Sequence, residues 1–158
     1  MLADTHLFRD DKRGEPYKTY SSRMSLAYNN TKYFQTGEST DPEKSFVRAL
    51  AIAAEQKSDL GALIGDIFSF PSEAAVDWAT AQLAAAGLPF YYTAGNHDWH
   101  YEGMEGSLAD LRKTWIEKRL KRMYNSADPM MQSFEVNDIS FIILDNSNYE
   151  ILPAQLDF

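Results

Sequence analysis

The chain has 158 residues, 44% of them hydrophobic, which is enough for one domain with a sizeable core and argues against two. With 15 Lys and Arg against 23 Asp and Glu, the formal charge of -8 argues against a duplex-binding surface, which needs clustered cations. There is no Cys, so disulfides and thiolate ligands are excluded and any metal would be held by oxygen and imidazole donors.

Met1-Leu2-Ala3 reads as the end of a clipped strand, since strands usually run about 5 or 6 residues. It gives way to Asp4-Thr5-His6. Residues 7–39 then form a long polar insertion, with Tyr17, Tyr20, Tyr28, Tyr33 and Phe34 spread along it. Loops longer than about 12 to 15 residues are functional walls, lids or disordered segments more often than plain connectors. Two readings stand side by side: a variable insertion packed on the surface, or a wall of aromatic faces that shapes a substrate pocket. Arg9 and Arg13 are solvated charges by default, with phosphate oxygens as the alternative partner. Asn29-Asn30-Thr31 matches a glycosylation sequon and reads as an ordinary polar loop.

A helix is predicted over 43–57, capped by Thr40 or Asp41 with Pro42 in the first turn, where its missing N–H is harmless. Phe46, Val47, Leu50 and Ala54 fall near one face. Residues 60–64 (LGALI) have the short apolar run of a buried parallel strand, ending at Gly65-Asp66. A second helix is predicted over 72–86, stopped by Gly87. Residues 89–93 form another strand, ending at Gly95-Asn96-His97-Asp98. Strand, helix, strand, helix, strand implies a parallel sheet with ligands gathered beyond the strands' carboxyl ends. All three polar patches fall at that edge.

Further on, residues 107–124 are predicted as a helix burying Leu108, Leu111, Trp115, Ile116 and Leu120. Residues 132–136 and 139–144 read as a hairpin turned at Asn137-Asp138. Residues 153–156 look like the first turn of a last helix. No stretch reaches the length of a membrane span.

Asp-x-His and Gly-Asp are weak signals alone, whereas Gly-Asn-His-Asp is expected by chance in about one such chain in a thousand. In this order and at these strand ends, the patches resemble the first three signature blocks of the calcineurin-like metallophosphoesterases, which hydrolyse phosphate mono- and diesters with two metal ions. The resemblance implies an α/β fold, a β-sheet sandwich flanked by helices (αββα). This chain, 1–158, would be a single incomplete domain of that kind, truncated at both ends. It also implies two divalent ions, with Mn, Fe or Zn the leading identities. Asp4 and His6 would hold the first, Asp66 would bridge the pair and Asn96 would hold the second. His97 would act on the leaving group and Asp98 would orient the His97 ring.

The family's later histidines have no counterpart after His100, so a missing C-terminal half is implied as a partner. Gly65-Asp66 continues as Ile67-Phe68-Ser69, which disfavours the purple acid phosphatase branch. The partner implied is a phosphorylated substrate of unspecified class, which the negative charge does not exclude because bound divalent ions reverse the local field. The contrasting reading is a non-catalytic scaffold or interaction module that retains the fold. Localisation is cytoplasmic only by default.

Overall fold

The computed structural model describes residues 1–24, 27–28 and 31–158. The strand expected at 1–3 is reduced to one parallel bridge, Leu2 beside Leu63. There the Leu2 N–H donates to Ala62 O and the Ile64 N–H to Leu2 O, each at 2.8 Å. A second parallel bridge, Leu7 beside Phe68, follows beyond the Asp-x-His patch. The N-terminal segment therefore runs alongside residues 61–68, before and after both patches.

The 7–39 insertion folds back on the domain. It holds a 3-10 turn at Glu15–Tyr17, helix α1 (Lys18–Ser21) and a small antiparallel ladder of β1 (Thr31–Lys32) with β2 (Ser39–Thr40). Its aromatics divide between tasks. Tyr17 packs on Tyr101 and Trp115 with ring centroids 5.2 and 4.9 Å away. Tyr33 lies beneath the Arg48 guanidinium, 4.4 Å from its centroid. Phe34 packs on nothing and is wholly exposed. Arg9 pairs with Glu43, and Arg13 with Asp11 and Asp77, so both meet carboxylates within the protein. Asn29 and Asn30 of the sequon lie outside the described residues.

Helix α2 (Pro42–Glu55) starts where the Asp41 carboxylate accepts the Lys44 N–H at 2.8 Å. Phe46 and Leu50 are buried, whereas Val47 is 42% exposed and falls off the predicted face. Strand β3 (Gly61–Ile64) precedes α3 (Glu73–Ala86), which is capped by Ser72 and closed by Gly87 at φ 64°. Strand β4 (Phe90–Thr93) pairs in parallel with β3, from Gly61 opposite Phe90 to Ile64 opposite Thr93. Together with the Leu2 bridge, this gives the order N-terminal segment, β3, β4. All three polar patches lie at the carboxyl ends of those segments.

After α4 (Asn96–Trp99), the single helix predicted over 107–124 is divided. It comprises α5 (Leu108–Trp115), a π-helical turn at Ile116–Leu120 and a 3-10 turn at Lys121–Tyr124. On an uninterrupted α-helix, Leu120 would lie about 180° around the axis from Leu111. The wider π turn rotates the chain, so Leu120, Met123 and Tyr124 join Leu111, Trp115 and Ile116 in the core. Leu108, expected inside, is 42% exposed.

Strands β5 (Met131–Val136) and β6 (Ile139–Leu144) form the expected hairpin. Asn137 and Asp138 turn it with φ of 49° and 63°, the paired left-handed conformation of a tight two-residue turn. The hairpin lies beside β4 without extending its ladder. Gln132 Nε2 donates to Tyr92 O at 2.9 Å, and Phe134 stacks on Tyr91 at 3.4 Å. The last helix, α6 (Pro153–Leu156), is one turn long. The described strands thus form three two-stranded ladders in a mixed α/β arrangement. Among the described residues, no helix is long and apolar enough to cross a membrane.

Candidate metal centre

Two loops are fastened together residue by residue. The Asp4 N–H donates to Gly65 O at 3.1 Å, the His6 N–H to Asp66 O at 3.0 Å, and the Leu7 N–H to Ile67 O at 2.7 Å. Side chains extend the seam: Thr5 Oγ1 donates to Ile67 O, and Ser69 Oγ to His6 O, each at 2.9 Å. Within it Asp4, His6 and Asp66 adopt φ of 51°, 46° and 51°, a left-handed conformation uncommon outside Gly. Each of the three offers a donor atom, and these atoms all lie within 4.8 Å of one another.

The third patch meets the second through the Asp66 carboxylate. Asp66 Oδ1 accepts the His97 N–H at 3.0 Å. A Cβ placed on Gly95 would sit 2.1 Å from the same oxygen and 2.4 Å from the Asp66 nitrogen, so only Gly permits this approach. Asn96 therefore stands between two residues that both touch Asp66. The His97 ring stands edge-on to that of His6, with centroids 5.1 Å apart. His100, outside the predicted set, is half-buried, and burial followed by the nearby His97 lowers its pKa.

The sequence reading gives Asp98 the task of orienting His97; its described hydrogen bonds go to two backbone amides. Its Oδ1 accepts the Phe68 N–H at 2.6 Å and its Oδ2 accepts the Gly95 N–H at 2.8 Å. Asp98 is the third residue of α4, where an acidic side chain turns back onto the N-cap amide. That position left a legible signal, whereas Phe68, the second partner, lies 30 residues upstream. Full burial pushes the Asp98 carboxyl up to about 7, against those two donors, and the Asp66 charge adds to the rise.

Sequence reasoning missed the cover on His6. Tyr28 of the insertion stacks on it, centroids 3.8 Å apart and planes 8° from parallel. His6 is buried, and its Nδ1 has no hydrogen-bond partner among the described residues. Burial, then the neighbouring His97, lowers the His6 pKa, while Asp66 and Asp4 pull the other way. An unprotonated imidazole with an orphaned nitrogen beside two carboxylates has the chemistry of a divalent metal site. Bonds of 2.0 to 2.2 Å would bring donor atoms to roughly 3 to 3.5 Å of each other, a contraction within reach of small side-chain rotations.

Behind α4, a buried polar network fixes its C-terminal end. Trp99 Nε1 donates to Ser147 Oγ at 2.8 Å, and Ser147 Oγ donates to Asp145 Oδ1 at 2.6 Å. Asp145 also pairs with Arg112 at 2.5 Å.

No family model and no curated protein sequence matches the chain. Among solved structures, the fold is similar to a dimetal phosphatase from Danio rerio, with a TM-score of 0.55 and 14% identity over 91% of this chain. The chain spans 42% of that protein's length, and the likeness is one of fold.

Proposed function

We propose that this chain is part of a calcineurin-like metallophosphoesterase domain that hydrolyses phosphate mono- or diesters. The observation that carries the reading is the convergence of Asp4, His6 and Asp66 donor atoms within 4.8 Å, at the strand ends where the motifs place them. The dimetal phosphatase fold of the neighbour supports it. In the complete domain, the ladders seen here would belong to the two-sheet sandwich that the family resemblance implies.

Asp4 and His6 would hold one divalent ion (Mn, Fe or Zn), Asp66 would lie between the two, and Asn96 would hold the second. Such a pair supplies positive charge against the phosphate and lowers the pKa of the attacking water. The chain's own residues do the rest. Asp66 is held in place by the His97 amide, and His6 is kept neutral by burial beneath Tyr28. His97, beside the cluster and not a ligand, would give a proton to the leaving oxygen or hydrogen-bond the phosphoryl oxygens. Asp98 holds the Phe68 and Gly95 amides and so keeps the second and third loops in register.

The test separates these roles in the complete domain. Asp66→Ala should remove metal and activity together. His97→Ala should keep its metal while losing about 10²- to 10⁴-fold in turnover. Metal analysis beside mono- and diester assays decides between them. Equal metal loss in both variants would make His97 a ligand and overturn the assignment.

A further inference from the structure

A cavity of about 340 Å³ adjoins the metal cluster and shares Asp4 with it. The first-strand segment and Phe46 of α2 line one side, and the insertion supplies Tyr28, Lys32, Tyr33 and Phe34. Tyr28 is a partition. It lines the cavity, whereas His6, stacked against it, does not.

Tyr33 is set in place before any ligand arrives. Arg48 lies over the Tyr33 ring at 4.4 Å, and the loop that follows is closed by the Gly37 N–H to Tyr33 O at 2.8 Å and the Tyr33 N–H to Glu38 O at 3.0 Å. That loop carries Phe34 to the cavity with 102% relative exposure, so the ring contributes no packing to the fold. A large aromatic side chain without a packing role, at a concave site also lined by Tyr28, Tyr33 and Phe46, is the arrangement that binds a flat apolar group.

The phosphoesterase reading leaves open which alcohol the ester carries. Resting on that reading, we propose that this cavity receives the organic side of the ester and that the substrates are phosphate esters whose alcohol bears a flat aromatic ring. Continuity through Asp4 supports this, because a phosphoryl group at the cluster would direct its alcohol along the cavity. The volume accommodates a single ring system, near the lower end of small-molecule pockets. Lys32 adds a cation among the lining residues, suited to the same anionic ester.

Non-hydrolysable phosphonates test this with Mn²⁺ present, by calorimetry. Benzylphosphonate should bind about 10-fold tighter than methylphosphonate, and cyclohexylmethylphosphonate, as apolar and with the same ring size but puckered and without a π face, should fall clearly short of it. Phe34→Ala should weaken benzylphosphonate by about 3- to 10-fold while leaving methylphosphonate binding and the melting temperature unchanged, and Phe34→Trp should restore the affinity. Equal binding of the benzyl and cyclohexylmethyl compounds would overturn the aromatic class. Unchanged benzylphosphonate binding in Phe34→Ala would overturn the subsite. Failure of the metal reading is distinguishable, since methylphosphonate would then bind no better with Mn²⁺ than with chelator. Benzyl alcohol contact with the metal-free protein, seen by saturation-transfer NMR and lost in Phe34→Ala, would still support the cavity.

Discussion

Gly95→Ala separates the steric requirement of the site from its backbone requirement. Gly95 has φ -94° and ψ 177°, an extended conformation that any residue adopts, so Ala introduces no dihedral strain. Its methyl group would nevertheless fall 2.1 Å from Asp66 Oδ1, 2.7 Å from Asp66 Cγ and 2.4 Å from the Asp66 nitrogen. Rotating the Asp66 side chain relieves only the first two contacts. The third is with backbone, and it clears only if one of the two loops retreats by about 1 Å to reach ordinary van der Waals contact. Overpacking of this kind costs about 1 to 3 kcal/mol. For a chain of this size that lowers the melting temperature by roughly 3 to 10 °C.

The retreat also moves the carboxylate that would serve both ions, so Mn²⁺ affinity should drop by about 10- to 100-fold, the span seen when a metal ligand loses its support. Gly87→Ala is the control. Its φ of 64° makes Ala strained, yet nothing lies within 4 Å and the site is not involved. It should cost about 1 kcal/mol with Mn²⁺ affinity unchanged. Circular dichroism melts and isothermal titration of both variants provide the readout. Wild-type Mn²⁺ affinity in Gly95→Ala would refute the reasoning, because Asp66 would then not be the group that this contact holds.

The buried Asp98 carboxyl gives a pH-dependent term. Its pKa in the fold is about 7 against an ordinary 3.8, so its contribution favours the fold fully below about pH 4 and is lost as pH rises through 7. Over some three units that is about 4 kcal/mol, and in the metal-free protein Asp98→Asn should flatten the melting temperature between pH 5 and 8; parallel pH curves for the two proteins would refute it. Ser147→Ala leaves the buried Trp99 N–H without its acceptor and should destabilise by about 1 to 3 kcal/mol. In Trp99→Phe, where no N–H remains, the same Ser147→Ala change should cost measurably less, and strict additivity in denaturant unfolding would show that the bond contributes nothing.

The elements that were legible in the sequence are those whose signals are local. Asp41 and Ser72 cap α2 and α3 by accepting amides three residues on, and Gly87 and Asn137-Asp138 take the left-handed dihedrals their residue types permit. The convergence of Asp4, His6 and Asp66 was legible for a different reason. Parallel strands deliver their carboxyl ends to one edge whatever the sequence separation. The illegible features depend on partners elsewhere in the chain. The π turn at Ile116–Leu120 answers to the shape of the core, since local pattern alone continues an α-helix there. Tyr28 finds His6 across a long insertion, with no spacing rule to connect them. Leu108 and Val47 fit an apolar face on a helical wheel, but their neighbours leave each of them 42% exposed.

Asp98 shows why a motif residue need not touch a ligand to be required. One of its oxygens holds the Phe68 amide, two residues past Asp66, and the other holds the Gly95 amide, next to Asn96. The carboxylate is fully buried, so separating the two loops would take away its Phe68 donor and leave only the Gly95 amide of its own turn, a loss of about 1 to 3 kcal/mol for a buried acceptor. Across the seam, the amides of Asp4, His6 and Leu7 hold the first loop to the second. Three candidate ligands sit in a left-handed conformation that costs on the order of 1 kcal/mol or more each, and such strain persists only where the surroundings over-determine it. The seam and Asp98 provide that over-determination from opposite sides of Asp66. The fourth residue of Gly-Asn-His-Asp thus acts on the site through Phe68 and Gly95, by fixing where Asp66 and Asn96 stand.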